Sequence, residues 1–128
     1  MIKGLNKKAT IKNARNLLEC YRYFEKMLVV GMNDDGLKNL QKNMEGITGA
    51  LRRLPDTTQH GILYRKYIEG GNSDWELMEH FGVDQREYYR KVNRGLLEFA
   101  CIYDFGSLLA FDGPNVVSRV TGMSPLQK

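Results

Sequence analysis

Cysteine, histidine, proline and tryptophan are all scarce in this chain, with two, two, three and one copies among 128 residues. Cys20 and Cys101 lie far apart with no CxxC spacing, which leaves no disulfide framework and no thiol-based zinc site. His60 and His80 lack the spacing of a metal pair. The expectation is therefore buried, reduced thiols acting as small hydrophobes, surface histidines, and neither metal nor other cofactor. No apolar run approaches the roughly 20 residues that span a bilayer. The basic start Met1-Ile2-Lys3-Gly4-Leu5-Asn6-Lys7-Lys8 has no apolar stretch after it, unlike a secretory signal. A cytoplasmic protein with no membrane partner is expected. Also missing are a Gly-rich phosphate loop, a nucleophile elbow and a partnered pair of acids. Nothing points to an enzyme or to a small-molecule substrate.

What is present is ordinary globular material, 42% apolar and 27% charged, enough for one domain or a small domain with a helical arm. Nineteen Lys and Arg against fifteen Asp and Glu give a net charge of +4, which permits a polyanionic partner without requiring one. The distribution says more than the total. Residues 1–55 carry eleven basic and five acidic side chains, residues 56–104 six and nine, and residues 105–128 two and one. Inside the acidic middle segment, Arg86, Arg90, Lys91 and Arg94 crowd together, opposed there only by Glu87.

Apolar spacings of three and four predict helices along most of the chain. Thr10 is placed to cap a first helix through Ile11, Ala14, Leu17, Leu18, Tyr21, Phe24 and Leu28, ending near Gly31. Asn33-Asp34-Asp35 supplies a turn and a new cap. A second helix then carries Leu37, Leu40, Met44, Ile47, Leu51 and Leu54, with Gly46 and Gly49 weakening it or admitting a close neighbour. Pro55 ends it. Asp56 or Thr57 opens a third helix bearing Ile62, Leu63, Tyr67 and Ile68, closed by Gly70-Gly71. Ser73-Asp74-Trp75-Glu76 fits a capping box and starts a short fourth helix over about 73–80, with Trp75, Leu77 and Met78 as core candidates. Phe81-Gly82-Val83 breaks it. Asp84 caps a fifth helix, with Glu87 placed for a second capping box and Tyr88, Val92, Leu96 and Phe99 as its buried stripe, to about Asp104. Leu108, Leu109, Phe111, Val116 and Val117 make the remainder too apolar for a plain tail, so a short packed or swapped element is expected there before a frayed end.

A short capped helix, a three-residue turn containing Gly82 and a longer capped helix form a helix-turn-helix signature. The reversal asks for positive φ, which glycine reaches without a Cβ clash. In such units the second helix enters the major groove of DNA, with its N-terminal residues nearest the bases. Opposite the buried stripe, the fifth helix presents Arg86, Arg90, Asn93 and Arg94, flanked by Gln85, Tyr89 and Lys91. Arg matches a guanine edge bidentately, and Asn or Gln matches adenine. Lys91 and some of the arginines suit phosphates, which fix register. Tyr88 is expected in the core, and Tyr89 either at the core edge or against DNA. Asp74, Glu76 and Glu79 are expected to face away from DNA or to clamp nearby bases. Lys7, Lys8, Lys12 and Arg15 are solubility charges or additional phosphate contacts.

Residues 51–104 resemble the ArpU-like transcriptional regulators of Gram-positive phages and prophages, which are similar in turn to the fourth region of sigma factors. The resemblance rests on the Leu54-Pro55 break, Tyr67-Ile68-Glu69-Gly70, Ser73-Asp74-Trp75-Glu76 and the Tyr88-Tyr89-Arg90 run. It implies a regulator of phage late or lysis genes. Gly95 departs from the pattern, and it predicts a kink or tight packing in the second half of the fifth helix.

The sequence thus predicts an all-α protein: a helical hairpin in residues 1–54, with an apolar surface suited to a homodimer, a trihelical helix-turn-helix module in 55–104, and an extension in 105–128. The expected partner is double-stranded DNA near a promoter, read by Gln85, Arg86, Tyr89, Arg90, Lys91, Asn93 and Arg94. Two alternatives are a module that docks on RNA polymerase without reading DNA, and a packaging protein resembling a phage small terminase subunit.

Overall fold

A computed structural model describes residues 4–30 and 34–112, without the side chains of residues 29, 34 and 35. The chain is all-α. Its helices are α1 (Lys7–Val30), α2 (Asp34–Arg52), α3 (Thr57–Leu63), α4 (Asp74–Phe81) and α5 (Gln85–Ile102), with a π-helical turn at Tyr64–Glu69 and a 3-10 turn at Tyr103–Gly106. Among the described residues there is no sheet, only one antiparallel bridge between Leu5 and Phe111. None of the described helices is long and apolar enough to cross a membrane.

One hydrophobic cluster joins every helix except for its outer surface. Ala14 and Leu18 of α1, Ile47 and Leu51 of α2, Ile62 and Leu63 of α3, Leu77 of α4 and the stripe of α5 all meet in it. That stripe is the expected one: Tyr88, Val92, Leu96 and Phe99 are all buried. α1 packs along α5 and the π turn, so the first helix helps to seat the fifth.

Several local expectations need correction. Thr10 does not cap α1. The helix begins one turn earlier, where Asn6 Oδ1 accepts the Ala9 amide at 2.9 Å. Thr10 is instead fully buried, donating to the Asn6 carbonyl at 2.8 Å and accepting the Ala110 amide at 2.9 Å. Its partner is a hundred residues away, a contact that helical periodicity cannot encode. Asn33 and Gly31 lie outside the described residues, so the first connection is not described. Gly46 and Gly49 do not admit a close neighbour: a Cβ at Gly46 would make an ordinary 3.5 Å contact with Tyr103, and one at Gly49 would stand in open space.

Asp56, rather than Thr57, caps α3, accepting the Thr58 and Gln59 amides at 2.9 and 3.0 Å. The third helix does not run on uniformly. From Tyr64 it widens into a π turn, and the Gly70 amide reaches back to the Arg65 carbonyl at 3.0 Å. Such turns absorb an extra residue within a helix. α5 stays continuous through Gly95, which lies against α3: a Cβ there would come within 2.9 Å of Leu63 Cδ1. Close packing, not a kink, accounts for this glycine.

After Ile102 the chain reverses through Asp104 and Phe105, both at positive φ (47° and 57°). α5 therefore stops two residues short of the expected end. Residues 108–112 then lie against the start of α1, with Asn6 N bonded to Ala110 O and Asp112 N to Gly4 O, each at 2.8 Å. Asn13 Nδ2 donates to Leu108 O at 3.0 Å. A packed element thus follows the fifth helix, and Val116 and Val117 lie outside the described residues.

Candidate nucleic-acid interface

The start of α4 is fixed by the predicted capping box. Ser73 Oγ accepts the Glu76 amide at 3.1 Å, and the Glu76 carboxylate accepts the Ser73 amide at 2.8 Å. Gly82 closes α4 in the left-handed region (φ 67°, ψ 36°), as the sharp reversal demanded. Three residues later α5 begins, capped by Asp84, whose carboxylate accepts the Glu87 amide at 2.8 Å. The second capping box is only half formed. Glu87 does not return the bond, because its carboxylate is held by Arg90 through contacts of 2.7–3.0 Å.

α5 is anchored to α4 through Asp74. Its carboxylate accepts from the buried Tyr88 hydroxyl at 2.5 Å, from Lys66 Nζ at 2.6 Å and from the Tyr89 hydroxyl at 3.3 Å. Burial pushes the Asp74 carboxyl upward, but the bonds from Lys66 and Tyr88 outweigh it and hold the group below its ordinary range. The Tyr88 phenol is pushed far up, by burial first and then by Asp74, so it stays a donor. Tyr89, edge-on to Tyr88 with ring centroids 5.0 Å apart, remains 41% exposed.

Gln85, Arg86, Arg90, Asn93 and Arg94 are all exposed along the outer side of α5, with Tyr89 at its edge. Among the described residues Arg86 and Gln85 have no side-chain partner. Arg90 is paired with Glu87, and Arg94 Nε lies 3.5 Å from Glu98. Both pairs join neighbouring turns of an exposed helix, a geometry worth only a few tenths of a kcal/mol, so either guanidinium can be redirected at little cost. Asn93 Oδ1 accepts from Arg15 Nη2 of α1 at 3.3 Å. Lys91 stands apart from this group. Its side chain is mostly buried, with the ammonium 3.3 Å from Asp56 and 3.7 Å from Glu87, where it ties α5 to the cap of α3.

Trp75 is not a core residue. It is 68% exposed on α4, because the Ser73 cap turns Leu77 and Met78 inward and leaves position 75 on the outer side. With Met78, Glu79, Val83 and Asp84 it lines an open groove of about 440 Å³ beside the turn. Cys20 and Cys101 are both exposed free thiols, contrary to expectation, since Cys101 falls opposite the buried stripe of α5 and Cys20 lies outside that of α1. His80 is exposed, its ring edge-on to Phe81. His60 is half-buried, with Nε2 enclosed and without a hydrogen-bond partner. No group of three or more potential metal ligands occurs among the described residues.

Sequence reasoning missed the Asp74 anchor and the contact between Arg15 and Asn93. Both join residues distant along the chain, and no spacing rule signals them. The chain matches no family model, no curated protein and no solved structure.

Proposed function

We propose that this protein is a sequence-specific, double-stranded DNA-binding regulator of transcription, of the kind that phages and prophages use at late-gene promoters. The reading rests on one observation: Arg86, Arg90, Asn93 and Arg94 share the exposed side of α5, a helix whose opposite stripe is buried and whose start follows a left-handed glycine turn. In a major groove this side brings guanidinium and amide groups to base edges. The Tyr88–Asp74 bond supplies the rigidity that such readout needs. The resemblance of residues 51–104 to ArpU-like regulators agrees with this assignment.

Selection of duplexes from a random pool with the full chain should yield a defined site. An Arg86→Ala, Arg90→Ala variant should then lose about 1–3 kcal/mol for each base pair read, with relaxed preference at those positions. Equal affinity of the double variant and the wild type for that site overturns the assignment.

A second reading, docking on a protein such as RNA polymerase without DNA readout, draws on the Trp75 groove, because a large exposed aromatic beside an apolar recess is typical of protein contacts. A chain that binds no duplex even at low salt, where phosphate attraction is greatest, would favour it.

A further inference from the structure

We infer that α1 is a phosphate-contacting rail that lies beside α5 on the same DNA. This rests on the DNA-binding assignment and extends the contact surface to a helix outside the helix-turn-helix unit. Lys8, Lys12, Arg15, Glu19, Arg22 and Lys26 follow one another at intervals of three and four residues, so they share one face of α1. Five of the six are basic. Lys8, Lys12, Glu19, Arg22 and Lys26 are exposed, and Arg15 is half-exposed.

The structure fixes which way this face looks. Arg15 Nη2 donates to Asn93 Oδ1 at 3.3 Å, so the basic face borders the outer side of α5, where Arg90 and Arg94 stand. The other flank of α1 is occupied by the C-terminal segment, through Thr10 with Ala110 and Asn13 with Leu108. Arg22 is drawn to the Glu69 carbonyl at 3.2 Å, at the end of the π turn, and Lys8, Lys12 and Lys26 have no ion pair among the described residues.

Packed helices run about 8–10 Å apart, and the major groove is about 12 Å wide. When α5 occupies the groove, a helix packed alongside it is carried over the phosphates at the groove edge. Lysines there contact phosphate without reading sequence. The spacing from Lys8 to Lys26 corresponds to about 27 Å of helix, enough to meet several phosphates in succession. Lys38 and Lys42, exposed on α2, belong to a different helix and provide a comparison per lysine removed.

The test compares three full-length proteins on the selected duplex and on a scrambled duplex of equal length, across a salt series: wild type, a Lys8→Gln, Lys12→Gln, Lys26→Gln variant, and a Lys38→Gln, Lys42→Gln variant. Circular dichroism confirms that each is folded. The α1 variant should lower the slope of log affinity against log salt by about 0.9 for each lysine that contacts a phosphate, up to about 2.7. It should weaken both duplexes by the same factor, leaving the preference between them intact, and the α2 variant should keep the wild-type slope. Wild-type binding with an unchanged slope in the α1 variant overturns the rail alone, and so does an equal drop per lysine in the α2 variant, which would reduce the effect to net charge. A wild type that binds neither duplex overturns the DNA-binding assignment and the rail with it.

Discussion

Asp74 is the residue that ties the start of α5 to α4. Tyr88 is fully buried, and its hydroxyl is satisfied by Asp74. Replacing Asp74 with Ala should cost about 1–3 kcal/mol, because it leaves a buried donor unpaired. Adding Tyr88→Phe should recover part of that loss by removing the orphaned hydroxyl, which a double-mutant cycle of urea unfolding would read directly. The same carboxylate sets an acid limit. Asp56, held down chiefly by the Gln59 amide, and Asp74, held down by Lys66 and Tyr88 against its burial, both have folded values below the ordinary one. A depressed carboxylate stabilises the fold fully above its unfolded value and loses that contribution as pH falls through the folded one. Stability should therefore decline below pH about 4, and the decline should be shallower in Asp74→Ala, as measured by unfolding midpoints across the acid range.

At the scale of elements, the α4–turn–α5 unit is defined by its ends. Gly82 adopts φ 67° with open space around the position of a Cβ, so Gly82→Ala would be penalised by backbone conformation alone, about 1–2 kcal/mol. Gly49 lies in α2 with equally open space but helical backbone. Gly49→Ala should therefore stabilise the protein by about 0.5–1 kcal/mol. Opposite shifts in melting temperature for two identical substitutions would show that the turn geometry is a requirement of the chain; shifts of the same sign would contradict it. The π turn at Tyr64–Glu69 is the element that departs most from regular periodicity. It ends at Gly70, where the Arg22 guanidinium fills the space a side chain would need, so α1 and the third helical segment are fitted to each other.

For the whole molecule, the decisive feature is that the two ends of the described chain meet. Thr10, fully buried, joins α1 to residues 108–112 through the Ala110 amide, and the bridge between Leu5 and Phe111 continues the contact. Thr10→Val keeps the shape but strands that amide, at a cost of about 1–3 kcal/mol. Hydrogen exchange should accelerate at Ala110 well beyond the change at Leu96 in the core, since the strap opens locally before the helices do. Equal acceleration at both sites would mean that the strap and the bundle unfold together.

The all-α class, the buried stripe of α5, the Ser73 capping box and the positive φ of Gly82 were all legible in the sequence. Each follows from interactions within a few residues, and hydrophobic period and cap chemistry report these directly. The exposed set Arg86, Arg90, Asn93 and Arg94 was legible for the same reason, since one helix face follows from spacing alone. The sequence could not show that Trp75 faces outward, that Lys91 is tied to Asp56, that Thr10 is a buried tether, or that Arg15 borders Asn93. Those depend on which helix packs against which, and that choice is made by contacts between residues tens of positions apart. Local sequence sets how each helix is patterned and capped; only the packed tertiary arrangement decides which charges are consumed as struts and which remain exposed.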